Sequence, residues 1–211
     1  MFWRTKLGLL LLIVPVVCYG AERPELSLFL DFDITPPSVF LRAMEKELAV
    51  ILKPAELRLD WFKAQQKAPA GAWRTMTFSF HGDCATADSE SSAPVEKFAL
   101  ANTPVKEGVV QSHSRIDCNQ FRDFLESYEA PQPNEASRLG RAMARILAHE
   151  LYHVLLQTRE HSKTGIAKAV HTPATLLGRS LRFENGELDK IRALYTLTPV
   201  PTRQNTIFAA N

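Results

Sequence analysis

The chain has 211 residues, enough for one domain with a full core, or a domain plus a tail. Hydrophobic content is 45% and charged content 23%, both ordinary for a globular protein. With 25 basic against 23 acidic residues the net charge is +2, which gives no reason to expect nucleic acid or an anionic surface as partner.

The N-terminus differs from the rest. Arg4 and Lys6 form a short basic region, residues 7–17 (LGLLLLIVPVV) are almost wholly apolar, and small residues surround an expected cut before Ala21. This is a signal-peptide pattern over residues 1–20. The apolar run is short for a bilayer span of ~20 residues, so an uncleaved anchor fits less well. Cys18 follows Val16 and Val17, a poor context for lipidation. The expected location is therefore secreted or periplasmic, with no membrane association once the leader is removed. Export also changes the cysteine arithmetic. Cys84 and Cys118 remain as an even pair in an oxidising compartment, and a disulfide between them is expected.

After a polar lead-in, residues 26–33 (LSLFLDFD) are apolar-rich, begin to alternate, and read as a strand. Pro36 and Pro37 punctuate it, and Ser38 can cap a helix whose apolar residues Val39, Leu41, Met44, Leu48 and Ile51 recur at helical spacing. Pro54 marks its end. Residues 57–62 alternate as a second strand. A polar linker over 63–72 leads to a third over 73–81, where Met76, Phe78 and Phe80 alternate with Thr77 and Ser79. Residues 83–94 are rich in Ser, Ala and Asp and read as an exposed loop. Two more strands are expected over 95–102 and 109–116, then a turn or brief helix over 119–128. A long helix should start near Asn134 or Ser137, either able to cap it, and run to about Gln157. Ala142, Ile146, His149, His153 and Leu156 share one of its faces. A polar bend over 158–165, an indistinct segment to Leu181, and a last helix over about 185–194 complete the domain, set at residues 21–200. Residues 201–211 form a loose tail. Strand, helix, several strands, then helices is an α+β order, a sheet backed by helices.

The long helix carries His149-Glu150-Leu151-Tyr152-His153, which reads H-E-x-x-H. Histidines at i and i+4 lie one turn apart on one face and can grip one zinc ion. Catalytic zinc typically takes three protein ligands and keeps a fourth position for water. His161 is the leading third ligand: it lies eight residues past His153, beyond the helix end, and Gly165 lets the chain double back. His171 is the second option, and a carboxylate from Glu184 or Glu187 the third. Zinc brings the pKa of a bound water toward ~7, and Glu150 can take the proton and pass it to a leaving amine. His81 and His113 fall in strands and read as structural or surface groups, and Trp61 and Trp73 as core. Tyr195 reads as packing its ring on the last helix rather than stabilising an oxyanion.

Residues 148–167 (AHELYHVLLQTREHSKTGIA) resemble a group of bacterial exported zincin-like metalloproteases, themselves metzincin-like, with the approximate pattern H-E-x-G-H-x-L-L-G-x-x-x-H-S-x-x-G-I-M. His149, Glu150, His153, Leu155, Leu156, His161, Ser162, Gly165 and Ile166 match it. Tyr152 and Gln157 stand where the pattern has glycine, and Ala167 where it has methionine. The resemblance implies a mixed sheet with an N-terminal helix, a long active-site helix and a small helical C-terminal part. It implies a zinc metalloendopeptidase: His149, His153 and His161 on Zn2+, Glu150 as catalytic base, a peptide or protein as substrate, and a monomer. The same resemblance leaves room for a domain that binds zinc or a partner without cleaving.

Overall fold

The computed structural model describes residues 24–69, 72–85, 99–128 and 132–197. The expected leader over 1–20, most of the loop over 83–94, the start of the strand expected at 95–102, and the tail over 201–211 lie outside the described residues. No helix among the described residues is long and apolar enough to cross a membrane.

The strand expected first is β1 (Glu25–Phe32), and the helix after it is α1 (Ser38–Leu52). A single 3-10 turn over Lys53–Ala55 then feeds β2 (Arg58–Lys63), which lies parallel to β1. The third strand, β3 (Arg74–His81), pairs parallel with the other side of β1. Its buried residues Met76, Phe78 and Phe80 point to one face, as their spacing predicted. The sheet continues through β4 (Ala101–Asn102) and, beyond a hairpin of β5 (Val105–Lys106) and β6 (Val109–Val110), β7 (His113–Asp117). Strand order is β2-β1-β3-β7-β4, with β4 alone antiparallel at the edge. The sheet is therefore mixed and the class α+β.

The strand expected over 109–116 is broken in two, for a visible reason. Residues 109–110 pair back onto β5, and Gln111 N–H donates to Pro104 O at 2.9 Å to close that hairpin. One residue later Ser112 O accepts from Thr77 N–H at 3.0 Å, and the chain joins β3 instead. The segment expected as a turn or brief helix is a full helix, α2 (Cys118–Glu126), whose N-cap Asp117 accepts from Gln120 N–H. Cys84 and Cys118 are bonded, tying the end of β3 to the first turn of α2.

The long helix is α3 (Glu135–Leu156), followed by a short α4 (Pro173–Leu177) and by α5 (Asn185–Leu197). Capping differs in detail from expectation. Ser38 is the first helical residue of α1, Pro37 takes the cap position, and no side chain bonds there. Asn134 does precede α3, but its backbone (φ −109°, ψ 26°) is not the extended conformation that lets a cap's side chain reach the first turn. Glu135 accepts from Gln132 N–H and from Arg138 instead. Helices α1 and α3 cross in close contact: a Cβ added at Gly140 would lie 2.3 Å from Phe40 O. That approach buries α3 nearly all round, from Leu139 to Leu155. The helix bearing the histidine pair is thus held as a core element, the rigid support a metal site needs.

Arg145, one turn before His149 on α3, is 1% exposed. Its guanidinium donates to Glu47 Oε1 of α1 at 3.0–3.1 Å, to Leu176 O at 2.5 Å and to Gly178 O at 2.8 Å. Arg182 donates to the same Glu47 oxygen. One buried network therefore joins both helices to the C-terminal segment.

Candidate metal centre

Helix α3 puts His149 and His153 on one face, and their Nε2 atoms lie 3.1 Å apart. Their Nδ1 atoms face backbone carbonyls: His149 contacts Ile166 O and His153 contacts Thr158 O, both at 2.8 Å. A carbonyl oxygen can only accept, so both Nδ1 atoms carry the proton. Both Nε2 atoms then carry bare lone pairs 3.1 Å apart. Lone pairs that close repel unless a cation sits between them. Orientation of an imidazole by a carbonyl on its far nitrogen is the usual support of a metal-bound histidine.

His161 completes the set. Its ring stacks on that of His149 with centroids 5.3 Å apart, and meets that of His153 edge-on at 4.8 Å. The ligand atoms of the three residues lie within 4.8 Å of one another. Zinc at ~2.0–2.1 Å from each nitrogen places tetrahedral ligands about 3.3 Å apart. The helix pair is close to that spacing, and exposed His161 stands within reach of both. Donor type, count and tautomer all fit zinc.

The loop bearing His161 is built to return under the helix. Gln157 ends α3 in the left-handed region (φ 50°), and the N–H groups of Gln157 and Thr158 bond His153 O. A glycine is usual there. Glutamine serves because its carboxamide clasps Val110 on both backbone groups, at 3.1 and 3.2 Å, and Val154 O at 2.9 Å. Ser162 N–H donates to Ala167 O at 2.8 Å, and its hydroxyl donates to Glu187. Gly165 turns the chain with φ 72°, and a Cβ there would stand 2.7 Å from Arg182 O. Tyr152, at the pattern's other glycine position, is 4% exposed, its ring near His153 and Phe183.

The other candidate ligands make the following contacts. Glu187 accepts from Ser162 and from Glu184 N–H at 2.9 Å, capping α5. Glu184 accepts from Thr164 Oγ1 at 2.9 Å. His171 Nε2 donates to Ile166 O at 3.0 Å, the carbonyl that also receives His149, and its ring stands 5.7 Å from that of His149. Ala167, where the pattern has methionine, is fully buried and contributes its carbonyl to the loop. His81 pairs with Asp33 at 3.3 Å and His113 is exposed at the start of β7, both outside the cluster. Trp61 and Trp73 pack, partly buried, against the core. Tyr195 packs on Trp73 and donates to Ala55 O at 2.8 Å.

Glu150 is 6% exposed and lines a cleft of about 1200 Å3 with the three histidines. Thr103 Oγ1, between β4 and β5, donates to its Oε2. Thr103 has spent its proton, so fully buried Ser114 of β7 must donate to Thr103 in turn. Sequence reasoning missed both hydroxyls, because nothing local marks a threonine as a carboxylate's partner 47 residues away.

Burial sets the electrostatics. It pushes His149 down to about 4; the Ile166 carbonyl opposes this, and the neighbouring histidines add to it. Burial lowers His161 and His171 as well. Neutral imidazole is the metal-binding form. Burial raises Glu150 above the usual carboxylate range, against the pull of Thr103 and His153.

No protein-family model matches the chain. No curated protein matches it. Among solved structures it is similar to archaemetzincin from Methanopyrus kandleri, at 12% identity and a TM-score of 0.48, over 86% of this chain and 99% of that one. A likeness at that level carries no weight for function.

Proposed function

We propose that the protein is an exported zinc-dependent metallopeptidase of zincin-like type, acting as a monomer on peptides or proteins. His149, His153 and His161 hold the zinc and Glu150 is the catalytic base. The observation that carries this reading is the pair of bare Nε2 lone pairs 3.1 Å apart, each fixed by a carbonyl on its other nitrogen. The disulfide agrees with an oxidising compartment.

When bound, zinc supplies Lewis acidity, polarising a scissile carbonyl and acidifying a water. The chain's own residues do the rest. Ile166 O and Thr158 O hold two imidazoles in the ligating tautomer. Glu150 sits one residue past the first ligand, so its carboxylate faces the metal position without being drawn into it. Thr103 fixes Oε2, leaving Oε1 to take up a proton and return it to the departing amine. Burial of Glu150 against the cleft wall keeps bulk water from competing for that proton.

Purified mature protein should carry about one equivalent of zinc; less than about a tenth would sink the assignment, given the tight binding of such sites. His161→Ala should lose the metal and His171→Ala should keep it. Retained zinc in the first would move the third ligand elsewhere.

Thr103→Val should lower kcat about 10-fold or more, since a hydrogen bond to a charged group contributes ~1.5–3 kcal/mol. Zinc content and KM should hold, and Thr103→Ser should recover most of the rate. An unchanged kcat in the valine variant would remove Thr103 from the machinery.

A second reading, a zincin-like domain that binds zinc or a partner without cleaving, is favoured by Tyr152, Gln157 and Ala167 at positions where the resembled pattern has glycine and methionine. Digestion of a broad peptide library by zinc-loaded protein, with and without chelator, separates the two. Absence of chelator-sensitive cleavage selects the binding domain.

A further inference from the structure

The cleft beside the histidines does not stop at Glu150. A second hollow of about 420 Å3 shares Ala99, Asn102 and Gln120 with it, so the two join around the short edge strand β4. Charge along this path is uneven. Arg159, on the loop between His153 and His161, lines the first hollow. Arg115, in register with Asn102 of β4, lines the second. Among the described residues, no carboxylate or carbonyl engages either guanidinium.

Among the described residues, the two acids on the same walls each accept a hydrogen bond. Glu150 accepts from Thr103, and Asp117 accepts from Gln120 N–H at the start of α2. His81 faces Asp33. The first hollow is otherwise mostly apolar, with Val110, Phe124 and Ile146 among its walls. A guanidinium at the edge of an apolar cleft offers a planar fork of donors that matches a carboxylate.

We infer that the cleft selects peptide segments bearing a carboxylate, which Arg159 receives beside an apolar residue, while Arg115 draws further negative charge around the edge of β4. This rests on the peptidase reading for the placement of the scissile bond, but not for the selectivity itself. The carboxylate is supplied either by an Asp or Glu side chain or by a peptide's free C-terminus. Both arginines are solvent-exposed, so each acts through a screened interaction and through association rate.

The test uses zinc-loaded mature protein and fluorescent peptides with one apolar core. The peptides are flanked by Glu or by Gln, each with a free or an amidated C-terminus. Binding is read by anisotropy and cleavage by chromatography. At low ionic strength the Glu-flanked or free-carboxylate peptide should bind about 2- to 5-fold tighter than its neutral match, and the gap should close near 1 M salt, where the Debye length is ~3 Å. Amidation alone removing the preference assigns it to the terminus; Glu→Gln alone removing it assigns it to the side chain. Arg159→Glu should abolish or reverse the preference, and Arg159→Lys should keep part of it. Equal affinities for charged and neutral peptides overturn the inference. So do a lack of binding to any of them and a preference that survives both Arg159→Glu and Arg115→Glu. Carboxylate-selective binding without chelator-sensitive cleavage leaves the inference standing and removes the peptidase reading, whereas indiscriminate cleavage does the reverse.

Discussion

Glu150→Gln should cut peptide hydrolysis by about 10²- to 10⁴-fold, the usual contribution of a positioned acid–base group, while zinc stays bound. The change is nearly isosteric, and the amide oxygen can still accept from Thr103, so the local packing has no reason to shift. What is lost is the ability to take a proton. None of the three imidazoles depends on Glu150 for its orientation, because two are held by carbonyls and the third sits on the returning loop. Measured kcat/KM beside zinc content in the same preparation checks this. A variant that still cleaves within a few-fold of the parent would take Glu150 out of the chemistry. One that loses zinc would show the carboxylate to be a ligand.

The largest expected effect on stability lies elsewhere. Arg145→Leu should cost about 3–5 kcal/mol, the range for removing one partner of a buried ion pair. Three acceptors lose their donor: Glu47, which keeps only Arg182, and the carbonyls of Leu176 and Gly178. In a chain of this size each kcal/mol moves Tm by ~2–4 °C, so a fall of roughly 6–20 °C is expected by calorimetry with the disulfide intact. The double variant Arg145→Leu, Glu47→Leu should regain part of the loss, because buried pairs replaced by apolar groups are often neutral. A fall under about 1 kcal/mol in the single variant would show that water reaches the network.

The α+β class, both long helices and the first three strands were legible in the sequence because each has a clear period. The breaks came where pairing partners, not local pattern, decide. Residues 109–116 read as one strand from Val109, Val110 and Ile116, yet two different neighbours claim its halves. That the first three strands are parallel cannot be read from their alternation, since only the crossover geometry sets it. At the candidate metal centre the histidines that approach one another were named from spacing. The groups that aim them or hold Glu150 were not: Ile166 O and Thr158 O are backbone atoms that any residue possesses, and Thr103 and Ser114 arrive from the far side of the sheet. Gln157 and Ala167 stand where the resembled pattern has glycine and methionine, and each is occupied, one as a clasp on the hairpin and one inside the loop's backbone bonding.

The carbonyl of Ile166, shared by His149 and His171, gives the centre an unusual genetic signature. Replacing Ile166 by another residue trims its side chain and leaves the acceptor in place, and the same is true at Thr158. A residue-by-residue scan would therefore register Ile166 as a buried core side chain and leave unseen the carbonyl on which the imidazoles hang. Their vulnerability is to length: inserting or deleting a single residue between positions 162 and 165 leaves Thr158 O on the helix end, keeps every histidine, and carries the Ile166 carbonyl out of register with His149.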